Sequence, residues 1–249
     1  MKKVVMNLLY PLIVVLFILL FWEIAAIAID VDLILPSPVV AFQNVGFYLS
    51  DKAFWISFGW TFLRCIESFL IAFIIALLLA SLSYTFKEIE KFVNPFMAFV
   101  RAVPTMAIIL ILTISLSPHS APVIIACIVI CPTLYQSFLA GFKEIDQNLV
   151  EMVTIYQVPK KKQILKFYIP SVLPTILSNS ATGFSLNIKL VIAAEALAQT
   201  RLSIGRLMQF SKINLEVEKL FALTIIAVLL SVICEFLIRC LMKRLCKNA

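Results

Sequence analysis

Residues 58–84 read FGWTFLRCIESFLIAFIIALLLASLSY, and within and just beyond them positions 68–86 contain no charged side chain. An uncharged helical run of this length matches the roughly 20 residues needed to cross the ~30 Å hydrocarbon core of a bilayer. Working outward, the same pattern recurs. Hydrophobic residues make up 62% of the 249 and charged residues 14%, which is the composition of a chain whose solvent is lipid. Hydropathy predicts an all-α integral membrane protein of about six transmembrane helices, at about 8–29, 58–84, 94–116, 121–141, 171–199 and 219–240. The remaining residues form short connections, so the chain reads as one transmembrane domain over 1–249.

Lys2-Lys3 before an apolar run, with Ala26-Ile27-Ala28 behind it, has some features of a cleaved signal peptide. The run exceeds the usual apolar core of about 7–15 residues, and Trp22-Glu23 interrupt its end, so an uncleaved first helix is the better reading. The net charge of +7 does not indicate a nucleic-acid partner, because the basic residues lie in short loops and at the C-terminus. With the N-terminus inside, thirteen lysines and arginines fall in cytoplasmic segments and five in external ones. That bias predicts an N-in, C-in topology. The longest cytoplasmic connection, about 142–170, mixes apolar Val150, Val153, Ile164 and Leu165 with charge, as short helices on a membrane surface do.

Several residues stand out within this framework. Lys189 interrupts the fifth predicted span, where a charge costs roughly 2.5–3.5 kcal/mol unless it faces protein or water. It either draws an anionic solute into a pathway or pairs with a carboxylate such as Glu67. Glu195, six residues on and on a different helix face, is either a gate or external-contact residue or a solvated interfacial carboxylate. Arg64 and Glu67, spaced i, i+3, are expected to neutralise each other. Arg101 is placed to snorkel toward headgroups. The six cysteines show no CxxC spacing, and the single histidine, His119, cannot make a metal site, so no metal and no cofactor are expected in this chain. No GxxxxGK[ST] phosphate loop occurs, so any ATP chemistry belongs to a partner.

The long loop also carries a pattern: Glu151-Met152-Val153, then Gln157-Val158-Pro159-Lys160-Lys161, then Ile169-Pro170. It resembles the EAA loop of binding-protein-dependent ABC importer permeases of type I. Trp22-Glu23 with Leu35-Pro36-Ser37-Pro38, Thr61-Phe62-Leu63-Arg64, Arg101-Ala102-Val103-Pro104, Ala193-Ala194-Glu195 and Ile204-Gly205-Arg206-Leu207 are similar, in order, to segments of the branch importing nitrate, taurine, aliphatic sulfonates and pyrimidine precursors. The resemblance implies that Glu151, Met152, Val153, Gln157, Val158, Pro159, Lys160 and Lys161 couple to a cytoplasmic ATPase dimer, which would bind ATP and Mg. It further implies a second permease copy, an external substrate-binding protein and a bacterial cytoplasmic membrane; Glu195 and Gly205 are then expected at an external gate, and Lys189, by its charge within a span, on the pathway. The chain departs from the pattern at Gln157, where the family has glycine, and holds only five glycines. Ala72, Ala76, Ala80 and Ser81 are expected to supply close helix contacts instead. The alternative from another class is a secondary transporter driven by an ion gradient, with Lys189 and Glu195 as relay groups.

Overall fold

The computed structural model describes residues 2–156 and 159–247, and these contain helices and no strand. In order they are α1 (Lys2–Ile29), α2 (Pro38–Ser50), α3 (Lys52–Thr85), α4 (Lys87–Ala102), α5 (Thr105–Ser115), α6 (Ala121–Lys143), α7 (Gln147–Ile155), α8 (Lys160–Gln163), α9 (Ile169–Ala198), α10 (Ile204–Ile213) and α11 (Val217–Lys247). A π-helical turn, Ile164–Tyr168, joins α8 to α9. Among the described residues, four stretches are long and apolar enough to span: Lys52–Thr85, Ala121–Lys143, Lys166–Ala198 and Val217–Cys240.

The third predicted span, 94–116, is not one straight helix. It divides into α4 and α5, which meet at 88° and together make one further candidate span. Proline explains the break. Val103 is extended (φ −68°, ψ 130°) as a residue before proline tends to be, and Pro104 is the N-cap of α5. Two helices absent from the hydropathy reading also appear. Ser37, whose hydroxyl accepts from Val40 N, and Pro38 at the first helical position start α2. Asp51 both ends α2 and caps α3, its carboxylate accepting from Ala53 N at 3.0 Å. Similarly, Ser203 caps α10 by accepting from Arg206 N at 3.0 Å.

At the centre, α3 and α6 form the most extensive helix pair, α6 continues onto α9, and α11 packs on α9 and α2. The face α3 buries runs Thr61, Arg64, Cys65, Ser68, Ala72, Ala76, Ala80 and Ser83, steps of one, three and four that keep one side of a helix inward. The three alanines are fully inaccessible, so they do supply the close approach expected of them. Ser81 lies off this buried face, half-exposed, with its hydroxyl bonded back to Leu78 O. Ser83 sits on the buried face instead and receives Tyr135 Oη at 3.0 Å. Phe69 meets Phe184 edge-on, and Phe73 meets Phe138. Between α6 and α9 a Cβ on Gly183 would lie 2.8 Å from Leu134, so only glycine permits that crossing without displacement.

Halfway along the α3–α9 contact, fully buried Asn187 donates to Cys65 O at 2.9 Å and shares a hydrogen bond with the Ser68 hydroxyl. By contrast, α1 is peripheral, with Phe17, Phe21 and Ile24 exposed. It is held through Trp22, which donates to Pro36 O at 3.0 Å and lies against the Phe221 ring.

The stripe on α3 gives a direct test. Ala76→Leu inserts volume where none is free and should cost about 1–3 kcal/mol. We expect a lower unfolding midpoint in a denaturing-detergent titration. Ile74→Leu, at an exposed position on another face, should leave the midpoint unchanged.

Candidate functional site

Both ends of α9 carry functional candidates. Thirty helical residues extend about 45 Å, so the α7–α8 segment before it and α10 after it lie at opposite ends of the bundle.

At the α10 end, Glu195 is completely inaccessible and Arg64 is 3% exposed. Their side chains form an ion pair, Arg64 Nη1 to Glu195 Oε1 at 2.8 Å. Arg64 and Glu67 therefore do not pair as expected: Glu67 is exposed on another face of α3, and the partner of Arg64 comes from α9. The other carboxylate oxygen, Oε2, accepts from Thr61 Oγ1 at 2.9 Å and from Gly205 N at 3.3 Å. Thr61 Oγ1 accepts in turn from Ile204 N at 3.0 Å. The first amides of a helix lack intrahelical acceptors, and here α3 and α9 supply acceptors to two of those in α10. Arg64 also donates to Leu202 O and Arg201 O, each at 3.3 Å, across the turn that joins α9 to α10. That turn contains Gln199 and Leu202 with φ of 49° and 50°, left-handed conformations that cost energy in residues other than glycine. Contacts from Arg64 help to hold it.

Gly205 is where α10 rests on α9. A Cβ there would fall 2.4 Å from Ile192 O and 2.6 Å from Ala196 N, both backbone atoms, so any larger residue must push the helices apart. Thr61, Arg64, Glu195 and Gly205 thus form one clamp joining α3, α9 and α10. In the sequence Thr61 and Arg64 share one segment while Glu195 and Gly205 stand in two others, and nothing there announces the pairing of Arg64 with Glu195.

Lys189 is exposed in the chain and makes no ion pair with Glu67. It lines a groove between α9, α10 and α11 that also contains Lys212. Arg101 lies exposed in the last turn of α4.

At the other end, α7 leaves Leu149, Met152 and Ile155 exposed next to exposed Glu151, and Tyr156 just after it is exposed too, Ile155 and Tyr156 at 76% each. Val153 is half-buried, and Val150 packs toward the core. Pro159 is exposed and precedes α8, which begins with Lys160 and Lys161. Gln157 and Val158 lie outside the described residues, as do the side chains of Lys160 and Lys161. This end is braced by ion pairing of Lys143 on α6 with Glu90 on α4.

The sequence model of the family described as "Binding-protein-dependent transport system inner membrane component" matches residues 68–247. Among curated proteins, the chain is similar to the formylaminopyrimidine transport permease protein ThiX of Halalkalibacterium halodurans, 22% identical over 192 residues that cover 76% of this chain and 74% of that protein. Two solved structures share its fold. An amino acid ABC transporter aligns with TM-score 0.56 at 16% identity, covering 78% of this chain and 90% of that one. The MetNI methionine ABC transporter in an inward-facing conformation aligns with TM-score 0.57 at 14% identity, covering 78% and 93%.

Removing one member of a buried pair leaves the other charge uncompensated, at a cost of about 3–5 kcal/mol. Glu195→Ala should therefore sharply lower the thermal midpoint in detergent. The double variant Arg64→Met/Glu195→Leu should recover most of the loss. Gly205→Ala should destabilise by about 1–3 kcal/mol through overpacking.

Proposed function

Because the chain belongs to the family of binding-protein-dependent transport system inner membrane components, we propose that it is one half of a dimeric channel whose access alternates as separate cytoplasmic ATPases close on ATP. It is a permease subunit of an ABC importer, a multi-pass membrane protein. In this reading it lies in a bacterial cytoplasmic membrane with both termini inside, as the basic residues favour. The α7–α8 segment then faces the ATPases, and α10 faces the external binding protein.

The observation that carries the coupling role is the surface of α7. Three large apolar side chains stand exposed beside a carboxylate on a helix of nine residues, with Tyr156 exposed just after it, and α8 and the π-helical turn lead from there into the core helix α9. A cytoplasmic helix of this kind is suited to seat in a groove of another protein, with Glu151 available to an arginine there. Motion of that partner passes into α9 through the π-helical turn, since the two are continuous. ATP and Mg are bound by the partner in this reading, and the chain itself is not catalytic.

The far end of α9 is locked to α3 and α10 by the Glu195 clamp, so a displacement of α9 moves the α10 end with it. Glu195 and Gly205 act in this reading as the frame of an external gate, while Lys189 faces the pathway. The solute is small and polar or anionic. The named substrate of the Halalkalibacterium halodurans relative, a formylaminopyrimidine, is also small.

Co-expression with the ATPase and binding protein tests the proposal. We expect an ATPase to co-purify and ATP to drive uptake into vesicles. Glu151→Lys should reduce uptake at least tenfold without altering the melting midpoint of the permease. Uptake by this chain alone under a sodium or proton gradient would establish the secondary-transporter alternative instead.

A further inference from the structure

One side of α9 differs from the outward faces of α3 and α11. Along it stand Ser171, Thr175, Ser178, Thr182, Ser185 and Lys189, at alternating steps of four and three that keep to one side of a helix. None of the six is buried. No large apolar side chain interrupts them. The outward face of α3, by contrast, carries Leu63, Leu70, Ile74 and Leu78, and that of α11 carries Val228, Val232 and Phe236, all exposed as side chains against lipid tails are.

The polar stripe runs at bilayer depth. Asn187 of α9 shares a hydrogen bond with Ser68, the first residue of the uncharged run 68–86 on α3. Phe184 meets Phe69 on one side of that contact and Glu195 meets Arg64 on the other, so the two helices are antiparallel and 171–185 lies alongside the run. Elsewhere in these helices hydroxyls bond back to a carbonyl one turn earlier, as Ser180 does to Ile176 O at 2.7 Å and Thr224 to Leu220 O at 2.8 Å. Thr175, Ser178 and Ser185 make no hydrogen bond among the described residues. At Thr182 the stripe receives a charge from α11: Arg239 Nη2 donates to Thr182 Oγ1 at 3.0 Å while paired with Glu235 at 2.9 Å, and both members of that pair are partly exposed.

Hydroxyls and charges at this depth face water or protein, because an unsatisfied polar group in hydrocarbon is costly. Direct packing on a second copy conflicts with the charge. About a twofold axis the residues nearest the axis meet their own counterparts, so Lys189 would face the partner's Lys189. Water between the copies removes that conflict and supplies the hydroxyls with donors and acceptors. We propose that this stripe, flanked by Arg239, is one wall of a water-filled path along α9 from Ser171 to Lys189. The proposal rests on the permease reading for what passes along the path, but not for its being wet.

The test is modification of introduced cysteines in permeabilised membrane vesicles from cells expressing the full chain, whose own cysteines set the background rate. It needs no ATP, so it can fail while ATP drives uptake and succeed where uptake proves gradient-driven. Ser178→Cys, Thr182→Cys and Ser185→Cys should react with the cationic reagent trimethylammonioethyl methanethiosulfonate at least tenfold faster than Ile74→Cys and Val232→Cys, at exposed apolar positions of α3 and α11. Three separate positions keep the test standing if one variant does not fold. At Ser185→Cys, one turn from Lys189, the anionic sulfonatoethyl analogue should react severalfold faster than the cationic reagent, and Lys189→Gln should erase that preference. Background rates at all three positions would overturn the proposal. If lipid-soluble N-ethylmaleimide then labels them, the face lies against acyl chains, and if neither reagent does, it is sealed against protein.

Discussion

The ion pair between Arg64 and Glu195 is the constraint on which the rest of the α10 end depends. Two charges have been taken out of water, and neither could remain alone, since an unpaired buried ion costs several kcal/mol. The structure surrounds them with Thr61, the Gly205 amide and the carbonyls of Arg201 and Leu202. Those partners come from α3, α10 and the turn between α9 and α10, so pairing the charges fixes three helices and a turn relative to one another. The attraction contributes modestly to net stability, whereas the geometry it imposes is specific.

Away from the clamp, lipid removes the usual reason for helices to associate. Lipid tails are as apolar as leucine, so packing has to come from close contact and from polar groups that bond across the interface. The buried face of α3 uses both. Ala72, Ala76 and Ala80 make it smooth, and Ser68 adds a hydrogen bond to Asn187 of α9. The scarcity of glycine is offset in this way, and glycine is kept at crossings such as Gly183 and Gly205 where backbone or side-chain atoms leave no space.

Much of this architecture was readable from hydropathy, because long uncharged runs are a local property. The bend at Val103-Pro104 was not, since a proline within an apolar run marks a possible break but not its angle, here 88°. Nor were α2 and α10, whose mixed composition gives no strong hydropathy signal. Arg64 and Glu67 looked like partners because the sequence displays neighbours four residues apart or fewer. The true partner lies 131 positions away, and only the fold brings Thr61, Arg64 and Glu195 together. The short helices α7 and α8 were legible in the mix of apolar and charged residues around Glu151, and their place ahead of α9 follows from chain order. Lys189 was recognised as costly, but the groove it lines is completed by α10, a helix the sequence did not announce.

The same 131-residue separation has a bearing on how the chain is made. During synthesis at about 5–20 residues per second, α3 is complete on the order of ten seconds before Glu195 emerges. Throughout that interval Arg64 lacks its Glu195 counterion, and the cost of a charge in the bilayer, roughly 2.5–3.5 kcal/mol at a helix centre, falls on α3 alone. The nineteen uncharged residues at 68–86 are what keep such a helix inserted while it waits. Biogenesis thus favours an α3 more apolar than the finished bundle requires.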